Sequence, residues 1–408
     1  MTNGWETKTL EEACQFSNGL WKGEKPPFVK VGVIRNTNFT KEGTLDDSDI
    51  AYIDVEAKKL EKRRLQFGDI ILEKSGGGPK QPVGRVVLFE KADGDFSFSN
   101  FTAALRVLDS RKLDFRFLHK FLHWTYVSGI TEGMQSHSTG IRNLDGEAYK
   151  AIKISFPPLA EQQRIVGVLN EAFAGLATAQ ANAEKNLQNA RALFESHLQS
   201  VFTQRGKGWV ETTLGDVCEF ENGDRGKNYP NRAEYVESGI PWINTGHINP
   251  DGTLSDSEMN YITPGKFESL RSGKIQPGDL VYCLRGATLG KTALVDPLTT
   301  GAVASSLVII RPSNSANSRF LYYFLTSPLG QSRIKLYDNG AAQPNLGAKS
   351  VAKYELALPN PAEQRVIARK LDALRTETGR LVRHYQQKQA ALAALKQSLL
   401  HQAFSGQL

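Results

Sequence analysis

Two stretches of the chain, residues 160–203 and 362–404, run without a proline, and apolar side chains return in them every three and four residues. In the second, the recurring positions hold Leu371, Leu374, Thr378, Leu381, Tyr385, Lys388, Leu392, Leu395 and Leu399. The first carries the same register in Leu169, Ala172, Leu176, Ala179, Ala183, Asn186, Ala190, Leu193 and His197, and its alanines allow a partner to approach closely. Sustained heptads predict two long helices paired as a coiled coil, each about 65 Å long at 1.5 Å per residue. The alternative is two surface helices, each lying on its own globule. Connectivity sets the direction. The first helix carries the chain away, Gln204-Arg205-Gly206-Lys207-Gly208 tethers the next globule, and the second helix must run back antiparallel.

Outside these stretches the pattern changes to short apolar runs punctuated by glycine and Asn-Gly pairs, the mark of strands and turns. Ile70–Leu72, Arg85–Phe89, Leu280–Tyr282 and Ser306–Ile310 read as strands, and Phe115–Trp124 and Ser318–Leu325 as short helices. The chain is written twice. Leu10, Cys14, Phe16, Asn18 and Gly19 return as Leu214, Cys218, Phe220, Asn222 and Gly223 at an offset of 204. Pro157-x-x-Ala160-Glu161-Gln162-x-x-Ile165 returns as Pro359-x-x-Ala362-Glu363-Gln364-x-x-Ile367 at an offset of 202. The expected fold class is therefore α+β. Two similar mixed globules, residues 1–158 and 204–360, alternate with helices at 159–203 and 361–408, in a pseudo-twofold dumbbell.

The 408 residues suffice for two or three domains with proper cores, and 40% apolar against 23% charged is ordinary for a soluble protein. A net charge of +7 is compatible with nucleic acid without requiring it. No secretory signal opens the sequence and no run approaches a membrane span. Cys14 and Cys218 are repeat mates in different globules, so a reducing cytoplasm is expected.

The arrangement resembles the DNA-specificity subunit of type I restriction-modification systems. The second globule carries the resemblance best. In order it has Gly239-Ile-Pro-Trp-Ile-Asn244, Pro277-Gly-Asp-Leu-Val281, Arg285-Gly-Ala-Thr-Leu-Gly-Lys291 and Ala342-Gln-Pro-Asn-Leu346, then Pro359 and Glu363-Gln364 entering the helix. The first keeps Phe67-Gly-Asp-Ile-Ile71 but diverges at Ser75-Gly-Gly-Gly-Pro-Lys80 and Gly140-Ile-Arg-Asn-Leu144, which implies two unlike half-sites. The resemblance implies double-stranded DNA as ligand, with two methyltransferase subunits and two motor-nuclease (restriction) subunits as partners. S-adenosylmethionine and ATP would belong to those partners, so the chain itself is expected to hold no cofactor.

Base reading needs amides, guanidinium groups and hydroxyls on constrained loops. The candidates in the first globule are Lys74, Ser75, Lys80, Gln81, Arg85, Arg142 and Asn143. In the second they are Arg225, Lys227, Asn244, Thr245, Arg285, Thr288, Lys291, Gln343 and Asn345. The run Gly286–Thr292 imitates a phosphate-binding loop, but Ala293–Pro297 reads as strand and turn where such a loop needs a helix. His119 and His123 have metal-binding spacing, yet their repeat mates are Tyr322 and Thr326, so exposed or core histidines are expected. No base, nucleophile and oxyanion donor occur together, so a non-catalytic reader is expected. The alternatives are a coiled-coil scaffold that ignores DNA and a stand-alone methyltransferase or nuclease.

Overall fold

A computed structural model of the chain describes residues 4–20, 23–78, 81–138, 141–337 and 345–408. The fold divides into two compact units, Met1–Ala183 with Gln387–Leu408, and Glu184–Gln386.

In the first unit the main sheet is antiparallel, in the order Cys14–Asn18, Thr102–Val107, Ile70–Glu73, Val86–Leu88. The second unit repeats that order with Cys218–Asn222, Leu307–Pro312, Leu280–Cys283 and Thr292–Leu294. Apart from Glu73, the central strands are buried runs of Ile, Leu, Val, Tyr and Cys because both their faces are covered, which is why they read as continuous runs. A smaller mixed sheet accompanies each, with Ala51–Glu56, Phe28–Ile34 and Phe96–Phe98 in one unit. Its counterpart is Asn260–Ile262, Ile240–Ile243 and Ala302–Val303. The Gly-Asp pairs before the central strands are structural. Asp69 and Asp279 are buried and hold Arg106 and Arg311 through two nitrogens, at 2.7 Å and 2.9 Å respectively.

The short helices are Phe115–Val127 and Ser318–Thr326, capped by the side chains of Asp114 and Asn317. His119 and His123 sit on the buried face of the first of them, as core residues. The units diverge just after. The first continues into a hairpin, Gln135–Ser138 with Ile141–Leu144, which pairs with Ser75–Gly77. The second continues into the helix Pro328–Tyr337.

The two long helices are Leu159–Thr203 and Pro361–Ser405, 45 residues each. In the first unit they run antiparallel. Arg164 donates to the Leu408 carbonyl at 2.8 Å, and Phe173 lies against Lys396 three turns further in. Ile165, Val166 and Leu169 share a core with Leu400 and Ala403. In the second unit Leu198 and Phe202 share a core with Leu371.

The seam departs from the expected register. Leu169, Ala183, Ala190, Leu371 and Thr378 are buried, and Ala172, Leu176, Ala179, Leu374, Tyr385, Leu392 and Leu399 partly so. Leu193, Leu381 and Leu395, however, are 51%, 41% and 48% exposed. Leu187, Phe194, Val382 and Lys396 turn inward instead, one residue further on. The reason is angular. At 3.6 residues per turn, a position three on lies about 60° to one side and a position four on about 40° to the other. Both spacings satisfy the same apolar reading, and packing against the partner selects between them.

Candidate nucleic-acid interface

The Asn-Gly pairs close to the ends of the first sheet strands build the floor of the site. A Cβ on Gly223 would lie 2.4 Å from the Val303 carbonyl oxygen, and one on Gly19 would meet the Ser99 carbonyl. Glycine is required there because the two sheets approach closely, which lets Asn222 and Asn18 stand at the rim.

In the second unit an open groove of about 580 Å³ starts from Asn222 and gathers Arg225, Arg271, Arg285 and Asn345. Four different segments supply these residues. Arg285 follows the buried strand Leu280–Cys283, and its backbone pairs with that of Asn345. Arg225 is exposed and donates to the Ser305 carbonyl at 3.3 Å. Arg271 is not among the residues expected from sequence, since no motif marks it. Its backbone N–H and guanidinium both reach Asp224, at 2.9 Å and 3.2 Å. The Arg271 and Gly226 amides, followed by the Arg271 guanidinium, pull the Asp224 carboxyl down to about 2. That carboxylate, 2% exposed, fixes the loop while Arg271 itself stays 71% exposed. The arrangement concentrates three guanidinium groups and two carboxamides on a concave wall, the chemistry that meets phosphates and guanine or adenine edges.

The first unit has the same backbone geometry with other side chains. Ser75 stands where Arg285 does, and it pairs with Asn143 as Arg285 pairs with Asn345. Ser75 donates to the Asn143 side chain at 2.6 Å. Beside it Lys74 donates to Asn18 at 2.8 Å, and partial burial lowers the Lys74 ammonium from its usual range. Arg142 is 3.4 Å from Gln135 on the neighbouring strand. Lys74, Ser75 and Asn143 are thus brought together.

Other candidates lie elsewhere. Arg85 is spent within the fold, which departs from the expectation that it reads bases. It grips the buried Glu73 through two nitrogens at 2.8 Å and donates to the carbonyls of Asn36 and Phe39. The side-chain carboxamide of Gln81 lies against the same guanidinium. Lys291 occupies the equivalent position in the second unit and donates to the Ile248 carbonyl at 3.4 Å, the counterpart of Phe39. Both cations tie one loop to the main sheet. Asn244 caps the turn Thr245–His247, and Thr288 lies 3.3 Å from the Cys283 thiol. Lys227 is exposed on the loop after Arg225. Lys80 and Gln343 lie outside the described residues. The loop that imitates a phosphate-binding motif leads into the strand Thr292–Leu294, not a helix.

A duplicated α+β unit, each copy followed by one long helix, with a basic groove on a polar loop cluster of the second, defines the class: a two-domain protein built by internal repetition. The family model for the type I restriction modification DNA specificity domain matches residues 2–186 and again 206–388, so the chain belongs to that family. The chain is 22% identical to the EcoKI specificity subunit of Escherichia coli K12, over 95% of this chain and 83% of that one. It is also 22% identical to the MjaVIII specificity subunit of Methanocaldococcus jannaschii, a match that spans 59% of each. Among solved structures it resembles a chain from a study of the assembly and conformational transition of a type I R-M system (TM-score 0.75, 20% identity, 100% and 99% coverage). It also resembles the HsdS subunit of Thermoanaerobacter tengcongensis (TM-score 0.64, 19% identity, 100% and 98% coverage). These similarities fix the fold.

Proposed function

We propose that each unit reads one part of a bipartite, asymmetric DNA target, and that the chain performs no chemistry itself. The observation that carries this reading is the equivalence of Ser75–Asn143 and Arg285–Asn345. One backbone arrangement holds a small hydroxyl in the first unit and a guanidinium in the second. A hydroxyl and a guanidinium select different base edges. The second groove would take its half-site through Arg225, Arg271, Arg285 and Asn345, with Lys227, Asn244, Thr245, Thr288 and Lys291 flanking. The first would use Lys74, Ser75, Arg142 and Asn143.

Each long helix begins in one unit and ends in the other, which supports a fixed spacer between the half-sites. The exposed leucines 193, 381 and 395 support helix faces that receive other subunits, two methyltransferases and further restriction subunits. S-adenosylmethionine and ATP would be held by those partners.

The test is a gel shift of the chain, alone and with its methyltransferase subunits, against duplexes of varied sequence and salt. Affinity should fall steeply with salt because phosphate contacts release counterions. Preference for one bipartite sequence should survive in the complex. Equal affinity for all duplexes at every salt concentration would end the proposal.

A further inference from the structure

The first unit contains a second cavity, of about 560 Å³, where the short helix Phe115–Val127 meets the first long helix. His119, Lys120, Arg116, Lys91, Glu90 and Asn170 line it. We propose that this cavity is a binding site for a small oxyanion of the phosphate class.

The two units supply the argument by comparison. In the second, the matching cavity closes its own charge. Asp372 on the long helix accepts from Arg319 at 2.8 Å and from the Tyr323 hydroxyl at 2.6 Å. Arg375 donates to the Tyr322 hydroxyl at 2.8 Å, and that hydroxyl donates to the Asp251 carbonyl at 3.0 Å. Asp372, Arg319, Tyr322, Tyr323 and Arg375 thus all have partners inside the fold. In the first unit the residues at those positions are Asn170 for Asp372, Lys120 for Tyr323, His119 for Tyr322 and Phe173 for Arg375. The carboxylate of Asp372 is gone; Lys120 adds a cation where Tyr323 stands, and Phe173 removes the one that Arg375 carries, so the loss of the carboxylate leaves the first unit the more positive.

The acids that line the cavity are Glu90 and Asp47, and Glu90 acts on Lys120 only from beyond ion-pair distance. Arg116 is held by Glu90 at 3.2 Å and Lys91 by Asp47 at 2.7 Å, so those acids are taken. Lys120 and Lys396 have no carboxylate within ion-pair distance among the described residues. Both ammonium groups instead lie over the Phe173 ring, 5.4 Å and 5.2 Å from its centre. Two like charges against one ring repel each other, and an anion between or beside them relieves that repulsion. His119 is 6% exposed, and its Nε2 meets no partner in hydrogen-bonding geometry, although the Gly43 and Val86 backbones lie close. In the tautomer with its proton on Nε2, the buried ring offers a donor to which an oxyanion supplies the acceptor. An oxyanion supplies the missing charge and the missing acceptor together, the two things that Asp372 and the Asp251 carbonyl provide in the other unit.

Isothermal titration of the full chain with inorganic phosphate, in chloride buffer of constant ionic strength, tests the site. Saturable binding of one phosphate is expected, and chloride should not mimic it. Lys120→Met should weaken binding at least tenfold. Asn170→Asp installs the carboxylate of the second unit and should abolish it. In the unaltered chain the His119 ring resonances should shift with the same titration midpoint. An ADP arm identifies the source. Weaker binding than phosphate assigns a free ion, and tighter binding assigns the phosphate of a nucleotide. Absence of saturable binding, or binding undiminished in both variants, overturns the proposal.

Discussion

Gln162 holds the backbone of Asp114: its side-chain oxygen accepts from the Asp114 N–H at 2.8 Å. Its amide nitrogen donates to the carbonyls of Lys112 and Pro157, both at 2.7 Å. Gln364 repeats all three bonds with Asn317, Ser315 and Pro359, at 2.7, 2.9 and 2.8 Å. Both glutamines are fully buried. The repeated Glu-Gln motif is therefore a clamp. It joins the first turn of each long helix to the residue that caps the short helix, and so sets the angle at which the long helix leaves its domain. Gln162→Leu leaves one buried donor and two buried acceptors unpaired, so it should cost roughly 2–4 kcal/mol. Gln364→Leu should do the same in its own unit. Urea denaturation of the full chain measures this. A loss under about 0.5 kcal/mol, the scale of an inert surface change, would show the clamp to be incidental.

Arg85 and Arg285 are both loop-proximal arginines, and the fold gives them opposite roles. Arg85→Ala strands Glu73, whose side chain is 1% exposed, and should cost about 3–5 kcal/mol with no direct change in base preference. Arg285→Ala should leave stability within about 0.5 kcal/mol, because its side chain is exposed. It should weaken DNA binding at the second half-site alone, while the first half-site keeps its preference. Ser75→Arg should alter preference only at the first. Comparing melting curves with binding to sequence libraries separates the cases, and a change at both half-sites from either variant would refute independent reading.

Much of this was open to sequence reasoning, because it rests on periodicity and repetition. Both long helices, the strands around Ile70, Leu280 and Val308, and the short helices at Phe117 and Phe320 follow from apolar spacing alone. The groove residues Arg285 and Asn345 follow from polar types on turns. What escaped depends on three-dimensional pairing. No local pattern says that Arg85 meets Glu73 twelve residues earlier, that Asp224 orders Arg271, or that Leu187 rather than Asn186 faces inward. A cation on a loop has the same sequence signature whether it awaits a phosphate or already has a carboxylate.

Burial gives His119 and His123 a common pH signature. Desolvation, followed by nearby lysines, lowers His119 to about 3 and His123 to about 4 from 6.5. The unfolded chain thus takes up protons that the folded rings refuse. Their contribution to stability is complete above about pH 6.5 and declines as the pH falls toward the folded values. At pH 5 the loss is about 2 kcal/mol for each ring, from 1.36 kcal/mol per unit. Scanning calorimetry should show one transition falling between pH 7 and pH 5, and the His119→Phe, His123→Phe double variant should flatten that fall. An unchanged slope would mean that the rings are charged in the folded state.

The spacer proposal has a geometric consequence that the long helices make quantitative. Removing seven residues shortens a helix by about 10.5 Å, while two turns at 3.6 residues nearly preserve the facing side. Taking one heptad from each long helix, within 174–187 and 378–391, keeps the antiparallel seam in step and leaves both grooves untouched. At about 3.4 Å per base pair, the accepted spacer should contract by about three base pairs, with both half-sequences unchanged. Sequencing methylated sites in DNA exposed to the reconstituted complex reads spacer and half-sites at once. A contracted spacer with intact half-sites supports the helices as the measure of length. An unchanged spacer would mean that something other than these helices sets the separation, since the deletion removes length from nothing else.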